Sequence, residues 1–203
     1  MIFAVVPAAG HSTRMGRPKL ALPLAGRTVI ERLVEALRSG GCQHVVVVVG
    51  PHVPELLAPA ATAGAHACLL EQPTPDMRTT VECGLRWLQD RFRPKPEDAW
   101  FLAPGDHPAL DARVVQKLIE EYARGKHTVL VPTAGGRRGH PALVAWRHVD
   151  AIRAHPASEG LNSFFRALPG GIGEVPVDND GVLHDLDTPE DYQRLCSAYS
   201  QHS

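Results

Sequence analysis

Residues 2–20, IFAVVPAAGHSTRMGRPKL, run from an uninterrupted apolar stretch into a loop of small and basic residues. The apolar run at 2–7 predicts a first strand that is covered on both faces, as in a parallel sheet packed between helices. Ligands of such sheets bind beyond the carboxyl ends of the strands. The loop that follows is therefore the first place to look for chemistry.

The rest of the chain repeats this alternation of strand and helix. A capping-box pattern of Thr28 and Glu31 opens a helix with apolar residues at helical spacing. HVVVVVG at 44–50 and AWFLAPGDHP at 99–108 are typical of buried strands that run into loops. Repeated β-α-β units predict a mainly parallel sheet with helices on both faces. We expect residues 1–203 to form a single domain.

Composition and charge exclude several classes of protein. The chain is 44% hydrophobic and 21% charged with a formal net charge of -1, so we expect no nucleic-acid-binding face and no membrane-binding face. No apolar run approaches the roughly 20 residues that cross a bilayer. The four cysteines form no CxxC pair, which argues against zinc and disulfides and favours a cytoplasmic location.

The loop at 7–20 has the composition of a phosphate-binding turn. Its small residues allow a close approach of the backbone to a ligand, and successive backbone N–H groups there can cradle phosphate oxygens. Arg14 and Lys19 add positive charge. The spacing matches neither a Walker A loop nor GxGxxG. The alternative is a surface turn with solvated cations.

Two later motifs carry carboxylates. Asp106 in PGDHP follows an apolar strand, where it is placed either to hold Mg²⁺ or to cap a turn. Asp185 and Asp187 alternate in an extended segment, so only one of them can face a site. We favour Asp187, directly before the helix start at Thr188. The alternative is that the acidic residues only complement the positive end of that helix.

The motif GRRGHPALV at 136–144 places cationic residues between glycines. Arg137, Arg138 and His140 are candidates for gripping an anionic acceptor, and the alternative is a hairpin tip with solvated arginines. His11 and His107 also fall in loops of the expected site. Without metal-ligand spacing, we interpret these histidines as hydrogen-bond donors to anions.

Four motifs occur in the order seen in MobA-like nucleotidyltransferases: PAAGHSTRMGRPK, PGDHP, GRRGHPALV and DLDTPEDY. The resemblance covers about residues 3–195 and is greatest to the molybdenum cofactor cytidylyltransferase branch. It implies a Rossmann-like three-layer α/β/α sandwich. It also implies transfer of a nucleoside monophosphate from a triphosphate to molybdopterin or molybdenum cofactor, with release of pyrophosphate. The PAAG form favours CTP over GTP.

The motifs and the resemblance together suggest roles for individual residues. The expected catalytic residues are Arg14, Lys19 and Asp106, and the expected Mg²⁺ ligands are Asp106 and Asp187. The expected nucleotide-binding residues are Pro7, Ala8, Ala9, Gly10, His11, Ser12, Arg14, Met15, Lys19, Gln72 and Thr79. The expected acceptor-binding residues are Arg137, Arg138, Gly139 and His140.

The segment EQPTPDMRTTVECGL at 71–85 departs from the family pattern. Gln72 stands for an asparagine, Asp76 for a glycine, and Thr79 and Thr80 for a pair of serines. These changes bear on the identity of the acceptor more than on the reaction.

Three functions remain open at this point. The first is the cytidylyl transfer described above, with an apo-molybdoenzyme as a further partner. The second is transfer to a sugar phosphate or another phosphorylated acceptor. The third is a non-catalytic carrier, or maturation chaperone, of molybdenum cofactor. The triphosphate-binding pattern of Lys19, Asp106 and Asp187 favours an enzyme, because a carrier needs no such groups.

Overall fold

The computed structural model describes residues 1–156, 159–168 and 170–200, so the last three residues of the expected domain lie outside it. The strands are β1 Ile2–Ala8, β2 Pro23–Leu24, β3 Arg27–Thr28, β4 His44–Val49, β5 His66–Leu69, β6 Ala99–Leu102, β7 Val129–Ala134, β8 Arg137–Arg138, β9 Ala142–Ala145 and β10 Gly173–Pro176. The helices are α1 Val29–Ser39, α2 Leu57–Thr62, α3 Met77–Phe92, α4 Ala112–Ala123, α5 Val149–Ala154, α6 Leu161–Ala167 and α7 Pro189–Ser200.

The main sheet has the strand order β10-β7-β9-β6-β1-β4-β5, and β8 pairs with β7. Strand β1 runs parallel to both β4 and β6, and β4–β5 and β7–β10 are also parallel pairs. The predicted mainly parallel sheet is therefore confirmed. Strand β9 is an exception, because it runs antiparallel between β6 and β7.

Helices cover both faces of this sheet, as the continuous apolar strands predict. One buried cluster packs α1, α2, α4 and α7 against the sheet. A second cluster packs α3, α5 and α6 against the other face. The three-layer α/β/α arrangement is confirmed. No helix within the described residues is both long and apolar enough to cross a membrane.

The start of α1 shows how the local sequence sets an element boundary. The hydroxyl of Thr28 accepts a hydrogen bond from the backbone N–H of Glu31 at 3.3 Å, and the Glu31 carboxylate accepts from the Thr28 N–H at 2.6 Å. The bonds from Thr28 also lower the pKa of Glu31. The predicted capping box is confirmed, and it satisfies N–H groups that the first turn leaves without partners.

Gly84 brings α3 into close contact with the sheet. A Cβ at this position would lie 2.6 Å from Val5 Cγ1 and 2.9 Å from Val48 Cγ2, and both valines are fully buried. We expect Gly84→Ala to lower the free energy of unfolding by about 1–3 kcal/mol, because branched valines in a packed core cannot move aside. Urea denaturation measures this, with the exposed Arg86→Ala as the matched control on the same helix. Equal stability of the two variants would contradict this packing.

Candidate functional site

A cavity of about 350 Å³ opens at the carboxyl edge of the parallel strands. Its walls are formed by the loop after β1, the start of α3, the loop after β6, and Asp187 in front of α7. From the expected nucleotide-binding set, it is lined by Pro7, Ala8, Ala9, Gly10, His11, Ser12, Arg14, Met15 and Lys19. Gln72 and Thr79 do not line it.

The turn after β1 is held by Ser12 and leaves backbone donors free. Ser12 has a left-handed φ of 49°, and its hydroxyl accepts a hydrogen bond from the Lys19 N–H at 3.3 Å. Within the described residues, the backbone N–H groups of Gly10, His11 and Ser12 donate no hydrogen bond. Consecutive free N–H groups at a cavity wall are suited to bind phosphate oxygens.

Two cations and two carboxylates meet beside this turn. Lys19 Nζ donates to Asp106 Oδ2 and to Asp187 Oδ1, both at 2.9 Å, and Arg14 Nη2 lies 2.7 Å from Asp187 Oδ2. Burial alone would lower the pKa of Lys19, but the two carboxylates outweigh it and the pKa is raised. The hydrogen bond from Lys19, helped by Arg14, lowers the pKa of Asp187. The pairing thus keeps both Lys19 and Asp187 charged at neutral pH.

Backbone and helix-start contacts hold the two carboxylates in place. The Leu186 N–H donates to the Asp106 carbonyl at 2.8 Å, which joins the segment before α7 to the loop after β6. The Asp187 and Thr188 N–H groups both donate to Asp191 Oδ2, at 3.1 and 2.7 Å. The helix start that the sequence predicted at Thr188 therefore also fixes the backbone of Asp187.

The alternation of Asp185 and Asp187 separates the two side chains as expected. Asp187 lines the cavity beside the turn, whereas Asp185 lines a different cavity of about 490 Å³. The choice of Asp187 as the residue that faces the turn is therefore consistent with the structure.

The carboxylates also fit the expected divalent cation. Oxygens of Asp106 and Asp187 approach one point, which the Lys19 ammonium occupies. Within the described residues, no group of three or more His, Cys, Asp or Glu side chains could hold a metal ion. Two carboxylates match the one or two that typically hold Mg²⁺ together with substrate phosphates.

The start of α3 forms another wall of the cavity. Asp76 caps this helix by accepting a hydrogen bond from the Thr79 N–H at 2.7 Å. Thr74, Asp76 and Thr80 line the cavity in place of the expected Gln72 and Thr79. On a helix, neighbouring side chains point in different directions, so only one member of the Thr79–Thr80 pair reaches this wall.

The expected acceptor residues lie apart from the cavity. Arg137 and Arg138 form β8, the return strand of a hairpin with β7, and Arg138 pairs with Glu174 at 2.8 Å. This is the hairpin arrangement that the sequence left open, and neither arginine lines the cavity. At Gly139, a Cβ would lie 2.3 Å from the Val182 carbonyl oxygen, so this glycine is required by packing.

His140 is the member of that motif that comes nearest to the charged cluster. Its ring centroid is 4.9 Å from that of His107, whose Nε2 lies 3.9 Å from Asp106 Oδ1. Burial, with a smaller contribution from His107, lowers the pKa of His140 to about 4. At neutral pH, His140 is therefore an uncharged imidazole beside the site, not a cation.

Arg78 is a buried residue of this region that the sequence reasoning missed. Its guanidinium donates to the carbonyls of four residues at the end of α5 and after it, and to the Glu82 carboxylate. The available signal was its position on the apolar stripe of α3, three residues before Val81 and seven before Leu85. A charged residue on such a stripe requires partners when it is buried.

A family model described as the MobA-like NTP transferase domain matches residues 4–172. Nicotine blue oxidoreductase of Paenarthrobacter nicotinovorans is 26% identical over 96% of each chain. Molybdenum cofactor cytidylyltransferase of Escherichia coli is 24% identical over 98% of each chain. Phosphoenolpyruvate guanylyltransferase of Rubrobacter xylanophilus is 32% identical over 96% of this chain and 93% of the relative.

Solved structures show the same fold. The Rv0371c homologue from Mycobacterium sp. strain JC1 superposes with a TM-score of 0.80 at 26% identity, over 100% of this chain and 98% of that one. Rv0371c of Mycobacterium tuberculosis in complex with manganese superposes with a TM-score of 0.74 at 24% identity, over 97% and 98%. Because the family model and these likenesses span most of its length, the chain belongs to the MobA-like NTP transferase family and is an enzyme of the nucleotidyltransferase class.

Proposed function

We propose that this enzyme transfers a nucleoside monophosphate, with CTP as the favoured donor, to a phosphorylated small-molecule acceptor and releases pyrophosphate. The observation that carries the proposal is one cavity that joins free backbone donors at Gly10–Ser12 to the cluster of Lys19, Asp106 and Asp187. Nicotine blue oxidoreductase is similar along the whole chain but is named for a different reaction. Similarity along the whole chain therefore does not decide the substrate. The proposal therefore depends on the cavity.

The turn and its two cations are placed to bind the triphosphate. The N–H groups of Gly10, His11 and Ser12 would contact phosphate oxygens, and Arg14 and Lys19 would hold the β- and γ-phosphates. The wall at the start of α3, which includes Thr74 and Thr80, would contact the base and ribose. In this assignment the turn after β1 binds the triphosphate end of the nucleotide, and the start of α3 binds its nucleoside end.

The proposed reaction is an in-line displacement at the α-phosphorus. An oxygen of the acceptor phosphate forms a new bond to this phosphorus, and the bond to the β-bridging oxygen breaks, so that pyrophosphate leaves with its electron pair. An acceptor that is already an anion needs no strong base. The contribution of the protein is thus positioning and electrostatic stabilisation of the departing pyrophosphate by Arg14 and Lys19.

Asp106 and Asp187 would hold Mg²⁺ or Mn²⁺, and the bound ion would neutralise charge on the phosphate oxygens. In the structure both carboxylates hold the Lys19 ammonium, which would have to leave them for the phosphates when the ion binds. The manganese complex of the related mycobacterial fold is consistent with a divalent ion in this family.

For the acceptor, we propose molybdopterin or molybdenum cofactor, with an apo-molybdoenzyme as the recipient of the product. The PAAG form of the turn and the relative that is a molybdenum cofactor cytidylyltransferase support this choice. The phosphoenolpyruvate guanylyltransferase relative supports a smaller acceptor as the alternative. His140 is the expected acceptor residue best placed for contact, as a neutral imidazole that lies against His107, the neighbour of Asp106.

A pyrophosphate-release screen tests the proposal. It crosses CTP, GTP, ATP and UTP with molybdopterin-type, sugar-phosphate and phosphoenolpyruvate acceptors, with and without Mg²⁺. We expect release that requires the metal and is fastest with CTP and a molybdopterin-type acceptor. Tight binding of the cofactor with no release from any triphosphate would instead support a carrier.

Lys19→Ala gives a second prediction for the same assay. Removing this ammonium should lower the rate of nucleotidyl transfer by about 10²–10³, as for other preorganised contacts to a developing charge. The exposed Lys126→Ala is the control for a lost lysine charge. Steady-state kinetics of both variants make the comparison, and a Lys19→Ala enzyme with unchanged kinetics would rule out the triphosphate role of this residue.

A further inference from the structure

The ring of His11, in the nucleotide turn, stacks on the ring of His52, which follows β4. The two ring centroids are 3.9 Å apart and the ring planes are inclined by only 14°. His52 Nε2 also lies 3.5 Å from the Gly10 carbonyl oxygen. His52 does not line the cavity itself. It therefore contacts the turn from behind.

The neighbourhood of His52 is closely packed. A Cβ added to Gly50 would lie 2.7 Å from His52 Cε1 and 3.1 Å from the Ala9 Cα. Only glycine at the end of β4 lets the turn and the His52 ring come this close. His52 Nδ1 is buried and has no hydrogen-bond partner within the described residues. This side chain is therefore held mainly by packing and stacking.

Ser12 holds the far side of the turn, but Gly10 and His11 have few other restraints. A Cβ at Gly10 would meet no atom within 4 Å, and His11 is exposed. A turn with this freedom must be ordered when it binds a polyphosphate, and ordering costs conformational entropy. A contact that orders the turn beforehand lowers this cost.

We propose that His52 is a positioning residue, which acts through His11 to hold the N–H groups of Gly10, His11 and Ser12 in the conformation that binds a polyphosphate. This inference depends on the proposed function, because it assigns the turn to the phosphates of the nucleotide. The His11–His52 stack carries most of this proposed effect, because the contact of 3.5 Å between His52 Nε2 and the Gly10 carbonyl oxygen is at the outer limit of a hydrogen bond.

Variants at His52 separate the ring from the hydrogen bond. His52→Phe keeps the stack and loses no bond at the buried Nδ1, His52→Gln keeps polar reach without the ring, and His52→Ala removes both. We expect His52→Ala and His52→Gln to bind inorganic tripolyphosphate with Mg²⁺ about fivefold more weakly, and His52→Phe to stay within about twofold, in line with the strength of an aromatic pair. Isothermal titration calorimetry measures these affinities.

Kinetics distinguish positioning from a general loss of structure. In His52→Ala, the KM for the triphosphate should rise about fivefold while kcat stays unchanged and thermal unfolding shows that the variant remains folded at the assay temperature. In a His11→Ala background, His52→Ala should have no further effect, because the residue through which it acts is gone. Additive effects of the two substitutions would overturn the proposal. It would also be overturned if His52→Phe bound tripolyphosphate as weakly as His52→Ala, or if His52→Ala bound it with wild-type affinity.

The outcome of this experiment is distinct from that of the proposed function. If the wild-type protein binds neither tripolyphosphate nor any nucleoside triphosphate, the assignment of the cavity fails. If the wild-type protein binds them and the His52 variants bind equally well, only the role of His52 fails.

Discussion

Asp106→Asn is expected to reduce nucleotidyl transfer by at least about 10²–10³ while the protein remains folded. The substitution removes one of the two carboxylates that we propose as metal ligands and leaves a neutral amide of the same shape. An amide oxygen is a weaker ligand for a hard divalent cation than a carboxylate. The Asp106→Asn substitution also removes one of the two anionic partners of Lys19. Pyrophosphate release at saturating Mg²⁺ measures the loss.

The matched control for Asp106→Asn is Asp185→Asn. Asp185 lies two residues from Asp187 but lines the other cavity, so its removal should leave the rate within about twofold. Circular dichroism and thermal unfolding verify that both variants are folded. A folded Asp106→Asn enzyme with near-normal turnover would remove Asp106 from the proposed metal site. Equal losses in the two variants would point to a general effect of negative charge.

Arg78→Ala should lower the free energy of unfolding by about 3–5 kcal/mol. Arg78 is 8% exposed, and its guanidinium donates to the carbonyls of Ile152, His155, Pro156 and Glu159. Truncation leaves these acceptors without their partner and opens a cavity in the core. Urea denaturation followed by circular dichroism measures the loss.

Two further variants identify the cause of this loss. Arg78→Lys retains the charge but cannot reproduce the planar fork, so it should recover only part of the stability. The exposed Arg86→Ala, two turns along α3, should change stability by less than about 0.5 kcal/mol. A loss below about 1 kcal/mol in Arg78→Ala would show that water replaces these hydrogen bonds at little cost. Because Met77 and Thr80 line the cavity beside Arg78, we also expect weaker nucleotide binding in Arg78→Ala.

The strands and helix starts were predictable because their signals are local. The apolar runs at 2–7 and 44–50 indicate strands that are buried on both faces. The pair Thr28 and Glu31 indicates a helix start, because the hydrogen bonds of a capping box join residues only three positions apart. The place of β9 was not predictable in this way. Its sequence ALVA is compatible with either strand direction, and its antiparallel pairing with β6 and β7 is set by the path of the chain before it.

For the site, the sequence by itself determined the chemical groups: a small-residue turn with Arg14 and Lys19, and carboxylates at strand and helix ends. Only the tertiary structure decided which groups meet. Lys19 contacts residues 87 and 168 positions away, whereas Arg137 and Arg138, in an equally suggestive motif, lie on a hairpin outside the cavity. The physical reason is that periodicity and capping act within a few residues, while the meeting of distant side chains depends on how whole strands and helices pack.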